Sequence, residues 1–245
     1  MTAPRPVAPE RAHLLSLLLM GRSDVGPFCF ATSETLAFAR TLEPEVAAEV
    51  VSSILAAYAP GADHALAERA AHVAHELGLV QAVPALVACV ERLPQGDRVA
   101  SVACAALEIL DGASIGPLVE AFERARSRDV RFALGLALTL LPRDDGRIRA
   151  AFEAMLDGDP ELAAHLLGVL GNRRAVPALR AALARLELPR PGPDEPGALD
   201  HVVSLGEAIL SLGGRMTGVE RRKFDDACAR AEALAAERGP DPDLH

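Results

Sequence analysis

The sequence predicts an all-α chain, arranged as a right-handed α-solenoid of about six antiparallel helix pairs. Three observations lead there. The first is a phrase that returns after 93 residues: Glu76-Leu77-Gly78 leads into Ala82-Val83-Pro84-Ala85-Leu86, and Val169-Leu170-Gly171 leads into Ala175-Val176-Pro177-Ala178-Leu179. Ninety-three is three times 31, and Ile115-Gly116-Pro117-Leu118 is a weaker echo between the two copies. A period of about 31 residues is the mark of a tandem helical array. The second is composition: half the residues are hydrophobic, mostly Ala, Leu and Val, and only 3% are aromatic, which suits closely packed helices better than sheets. The third is regular punctuation by helix-starting Asp and Pro and helix-ending Gly.

The elements follow in order. A helix is expected over about 10–20, then a loop holding Gly21, Gly26 and Pro27, then helices near 33–42 and 44–58. Asp63, Asp97 and Asp159 each precede an apolar-periodic segment and can accept hydrogen bonds from free backbone N–H groups. Pro160 follows Asp159 at the first helical position, where its missing N–H costs nothing, and Pro44, Pro84, Pro117 and Pro177 also sit near helix starts. Gly78, Gly112 and Gly171 suit the left-handed conformation just past a helix end. The predicted pairs are 64–78 with 82–92, 97–110 with 115–126, 129–141 with 146–156, and 160–170 with 175–187. Within 64–78, Leu66, Ala70, Val73 and Leu77 form one narrow stripe. Residues 188–198 hold four prolines and read as a linker, 199–212 and 218–237 as a last pair, and 239–245 as a disordered tail. The expected organisation is therefore 1–62 as N-terminal capping helices, 63–187 as the array, 188–198 as the linker, and 199–238 as a C-terminal capping pair. A single helix pair cannot bury its apolar surface alone, so neighbours must stack.

The net charge of −9 opposes a general attraction to nucleic acid or to an anionic membrane. Lys223 is the only lysine, a bias that fits a GC-rich bacterial genome. Cys29, Cys89, Cys104 and Cys228 form no CxxC pair and sit in apolar contexts, as free thiols in a reducing compartment do. The apolar run Leu14 to Met20 is short for a signal-peptide core, and no stretch approaches a membrane span. A cytoplasmic protein is expected.

The helix-ending Leu-Gly, the short loop and the Ala-Val-Pro-Ala-Leu opening of the next helix resemble HEAT repeats, in particular the compact HEAT-like repeats of the phycobilisome-lyase type. Asp129-Val130-Arg131 is similar to the Asp-x-Arg that opens a HEAT first helix. The resemblance covers about 63–187 and implies a scaffold or adaptor more often than an enzyme.

Candidate chemistry is sparse. Glu68, His72 and His75 lie at i, i+4 and i+7 on one helix face, a spacing that can hold a divalent metal. His75-Glu76 is the only His-Glu pair in the chain, whereas the HEAT-like metalloenzyme deoxyhypusine hydroxylase builds its di-iron site from several. The face therefore reads as solvated or partner-facing, with no metal. No Gly-x-Ser-x-Gly elbow, base-paired cysteine or phosphate loop is present, so no catalytic residue and no cofactor is assigned. Some HEAT-like proteins are DNA glycosylases, but Arg124, Arg126, Arg128, Arg131 and Arg221-Arg222-Lys223 stand in an acidic chain with one tyrosine and no tryptophan. No nucleic-acid or membrane partner is expected.

Surface remains. In HEAT-like arrays the second helices line the concave face, and their off-stripe positions here are Arg92, Glu120, Arg124, Arg149, Glu153, Arg180 and Arg185. Arg among mixed charges suits recognition of a polypeptide. The expected function is a non-enzymatic scaffold or adaptor binding another protein or peptide there. The alternatives are a chromophore-handling enzyme of the bilin-lyase type and an immunity or antitoxin-like inhibitor.

Overall fold

A computed structural model describes residues 9–20, 29–94, 96–188 and 195–238. Among them the protein is all-α, with thirteen α-helices, three 3₁₀ turns and no strand. The chain divides into two compact units, one up to Leu141 and one from Pro142.

The first unit holds α1 (Pro9–Met20), α2 (Ser33–Ala39), α3 (Pro44–Ala57), α4 (Ala65–Leu77), α5 (Val83–Arg92), α6 (Arg98–Ile109), α7 (Gly112–Arg124) and α8 (Arg128–Thr139). Helix α3 packs on α1, α4 and α5, α4 packs on α6, and α5 packs on α6, α7 and α8. Leu55, Leu86, Leu107, Leu118 and Leu134 are fully enclosed in its core. The second unit holds α9 (Gly146–Ala154), α10 (Pro160–Leu170), α11 (Val176–Arg185), α12 (Glu195–Ser211) and α13 (Gly218–Arg238). There α10 packs on α9 and α12, and α12 packs on α11 and α13. Ile148, Phe152, Leu166 and Leu167 fill this core.

The recurring phrase is a recurring structure. Leu77 and Leu170 each end a helix, and Gly78 (φ 62°, ψ 42°) and Gly171 (φ 72°, ψ 15°) each turn left-handed just after it. A 3₁₀ turn follows in both, Val80–Ala82 and Arg173–Ala175, and then a ten-residue helix with Pro84 or Pro177 in its first turn. Proline fits there because the first N–H groups of a helix have no internal acceptor. One position differs in kind. Leu79 is buried apolar, whereas its counterpart Asn172 accepts from the Arg174 N–H at 3.0 Å and donates to the Arg143 carbonyl at 2.7 Å.

Other punctuation departs from expectation. Gly112 does not end α6; it begins α7, and the positive φ belongs to Asp111, at 42°. Pro117 lies inside α7 rather than at a start, so the helix runs through it with one backbone donor missing. Asp97 and Asp159 do cap, accepting from Val99 N–H at 2.8 Å and Leu162 N–H at 3.1 Å. Asp63 accepts from Ala65 N–H at 2.9 Å, one residue ahead of the assigned cap. In the expected linker, helix α12 already begins at Glu195. The Gly21–Pro27 loop, residues 189–194 and the 239–245 tail lie outside the described residues.

Candidate functional site

The seven charged positions singled out from sequence fall in both units. Arg92, Glu120 and Arg124 stand on α5 and α7, and Arg149, Glu153, Arg180 and Arg185 on α9 and α11. Most of them are engaged within the chain. Arg124 Nη2 reaches Glu91 Oε1 at 2.9 Å, Arg149 Nη1 reaches Glu153 Oε1 at 2.8 Å, and Arg185 Nη2 reaches Asp157 Oδ1 at 2.6 Å. The Arg149–Glu153 pair is half-buried, whereas the exposed pairs of Arg124 and Arg185 are worth about 0–1 kcal/mol and exchange readily for an outside partner. Two others are more committed. Arg180 Nε lies 3.1 and 3.2 Å from the two oxygens of the buried Glu220, whose Oε2 also accepts the Thr217 N–H at 2.6 Å. Burial alone would raise the Glu220 carboxyl, but the Thr217 and Arg180 hydrogen bonds together hold it below its ordinary value. Arg92 donates to the Leu55 carbonyl at 2.8 Å and the Ala56 carbonyl at 3.3 Å, closing the last turn of α3.

The basic clusters weighed for nucleic acid are partly used in the same way. Lys223 Nζ donates to the carbonyls of Leu183 at 2.9 Å, Ala184 at 3.4 Å and Leu186, at the end of α11. Arg131 Nη2 donates to the Ala125 carbonyl at 2.6 Å, just past α7. Helix ends leave four carbonyls without internal donors, and cations complement the negative pole there.

The Glu68 face of α4 differs from its expected solvated state. Glu68 is 1% exposed. Its Oε1 accepts from Arg98 Nε at 2.6 Å, and its Oε2 accepts from Arg98 Nη2 at 3.1 Å and from the Cys29 N–H at 2.6 Å. One turn on, His72 Nδ1 accepts the Ala31 N–H at 3.2 Å. Glu76 Oε1 lies 3.6 Å from His72 Nε2 and 3.3 Å from His75 Nδ1. Phe30 packs on the His72 ring at 4.8 Å, and a hollow of about 250 Å³ lies beside these rings. Burial pushes the His72 imidazole below its ordinary pKa; Glu76 pulls it up and His75 pushes it down.

Two groups here have donor atoms close enough to share a cation, Cys29 with His64 and Glu68, and His72 with His75 and Glu76. Their hydrogen bonds argue for another use. Both Glu68 oxygens are taken by Arg98 and Cys29. Because His72 Nδ1 accepts a backbone N–H, the neutral ring carries its hydrogen on Nε2, toward Glu76. A metal on Nε2 would require the hydrogen on Nδ1, against the Ala31 donor, whereas metal-bound histidines donate from their second nitrogen. The set reads as a polar clasp joining residues 29–31 to α4 and α6.

A larger concave surface in the first unit lies among α1, α3 and the start of α4. It is a partly open cleft of about 560 Å³, within the range of ligand and side-chain pockets. Leu15, Val50, Ile54 and Leu66 wall it, and the space is left by small side chains, Ser53 and Ala57, one turn apart on α3. At its rim Arg11 pairs with Glu49, with Nη1 to Oε1 at 2.6 Å, while Arg11 Nε is buried with no hydrogen-bond partner among the described residues. Asp63 lines the cleft, and Tyr58 donates from its hydroxyl to Asp97 Oδ2 at 3.2 Å. Burial, then the Asp97 charge, push the Tyr58 hydroxyl above its ordinary pKa, so it stays a donor. Sequence reasoning missed this cleft. Its signal, small residues at i and i+4 where the neighbouring turns carry Val and Ile, is hard to see in a chain so rich in alanine.

No family model matches the chain, and no curated protein matches it. Among the described residues no helix is long and apolar enough to cross a membrane.

Proposed function

We propose that the chain is a non-enzymatic, HEAT-like helical-repeat protein of the bacterial cytoplasm that binds a partner polypeptide. In this reading its helices form a right-handed solenoid of about six antiparallel pairs. The observation that carries it is the repeat itself. Two segments 93 residues apart reproduce the same left-handed glycine, 3₁₀ turn and proline-started ten-residue helix, one in each unit. Stacked repeats expose long preorganised faces, and preorganisation lowers the ordering cost of association. The exposed, exchangeable ion pairs of Arg124 and Arg185 leave those faces charged and weakly committed.

Two measurements test this. Small-angle scattering addresses the solenoid: a compact globule of 245 residues has a radius of gyration of about 18 Å, and an extended array exceeds it clearly. Affinity capture of the full chain, followed by reconstitution with the purified partner, addresses binding. A stoichiometric polypeptide complex on size exclusion is the expected result. Recovery of the chain alone, carrying a bound chromophore or metal, would end the scaffold reading.

A further inference from the structure

We infer that the cleft among α1, α3 and α4 is the docking site for one kind of partner segment: a peptide that inserts apolar side chains and flanks them with Lys or Arg. This rests on the partner-binding reading above and gives that partner a chemistry. The walls supply the apolar part. Leu15 is 38% exposed on α1, and it faces a space that Ser53 and Ala57 are too small to fill. Filling about 560 Å³ takes several large aliphatic or aromatic side chains, and taking such apolar surface out of water is favourable.

Charge sets the flanks. Carboxylates of Glu49 and Asp63 line the cleft, and that of Asp97 stands behind Tyr58. Arg11, the one lining cation among the described residues, pairs with Glu49 and offsets it, which leaves the charges of Asp63 on the wall and Asp97 behind Tyr58. A cationic segment is therefore attracted and an anionic one repelled, in a chain whose net charge is −9. A small apolar molecule would use the walls and leave the acidic rim without a counterpart.

The test is selection of a random twelve-residue peptide display library on the full chain, followed by binding of the enriched peptides in solution. Ala57→Trp and Ser53→Leu fill the cleft from positions that line it, so both variants should keep the parent helicity and melting temperature. The expected result is enrichment of apolar residues next to Lys or Arg. Affinity should fall at least tenfold in either filled variant and several-fold in Asp63→Lys, and it should weaken with salt. Peptides that bind both filled variants undiminished would overturn the cleft as the site while leaving the partner-binding reading standing. Enrichment of acidic or uncharged peptides would overturn the charge argument. A failure to enrich any peptide, with anilinonaphthalene sulfonate bound by the parent and lost in Ala57→Trp, would make this a small-molecule pocket and overturn the proposal. Self-association abolished by the same variants would assign the cleft to a second copy and also overturn it.

Discussion

Arg98 grips Glu68 with two parallel contacts, Nε to Oε1 at 2.6 Å and Nη2 to Oε2 at 3.1 Å, while the carboxylate is almost wholly buried. The same oxygen, Oε2, takes the Cys29 N–H, so one carboxylate fastens residue 29, α4 and α6 together. Removing the acid and removing the base are unequal changes. In Glu68→Ala the guanidinium can turn to water, and the main loss is the Cys29 bond with its share of packing. We expect a loss of about 2–3 kcal/mol in urea denaturation. Arg98→Leu strands a buried carboxylate and should cost more than Glu68→Gln, which keeps the shape without the charge. Equal stability of all three variants would show that the fork is not formed in solution.

His72 gives a pH dependence whose sign can be worked out. Its folded pKa lies below the unfolded value of about 6.5, so between those two values the unfolded chain binds more protons. Stability is therefore full above about pH 6.5 and falls as pH drops toward the folded pKa. Protonation also fills Nδ1 and breaks the Ala31 bond. The groups facing the ring are Glu76 and His75, with Arg40, at the end of α2, 4.0 Å from Glu76. Melting between pH 8 and 5 should show a loss that is smaller in His72→Gln, and the Ala31 amide should lose protection at the acid end when its exchange is compared with the intrinsic rate at each pH. Glu220 and Asp145, both held below their ordinary values, act in a separate window, losing their contribution only as pH falls below about 4.

Asp111 is the one described non-glycine residue with positive φ, at 42° with ψ −117°. Its side chain makes no cap hydrogen bond, so nothing visible offsets the backbone cost. Asp111→Gly should raise stability by about 1 kcal/mol, read as a higher denaturation midpoint with unchanged slope. A lower midpoint would mean the carboxylate has a role in holding the α6–α7 turn.

Gly206 in α12 predicts the opposite sign from its propensity. Alanine in a helix interior is usually favoured over glycine by about 0.5–1 kcal/mol. Here a Cβ would meet the Phe224 ring of α13, with Cγ at 2.9 Å and the nearer ring atoms closer still. Overpacking wins, and Gly206→Ala should destabilise by about 1–3 kcal/mol. Phe224→Leu in the same chain should recover part of that loss, a non-additivity a double-mutant cycle measures directly.

What was legible in the sequence was what local chemistry decides. Gly78 and Gly171 mark helix ends because a left-handed residue strains any side chain, and Asp97 and Asp159 mark starts because their carboxylates reach the next N–H groups. Gly112 misled because the strain falls one residue earlier, on an aspartate that composition rules would not place there. Glu68 misled for a different reason. Its partners lie 39 residues before it and 30 after, and no periodicity of α4 can reveal them. The cleft is likewise a product of packing, a gap between α1 and α3 that no single segment encodes.

The clasp of Lys223 around the end of α11 reaches beyond stability. This is the only lysine in the sequence, and its ammonium donates to three backbone carbonyls. Acetylation, ubiquitination or an amine-directed cross-linker would find a single lysine target, and reaching it means uncapping a helix. Mapping a complex of this protein therefore calls for carboxylate chemistry or photoreactive probes, since its surface offers dozens of acids and hardly any amines.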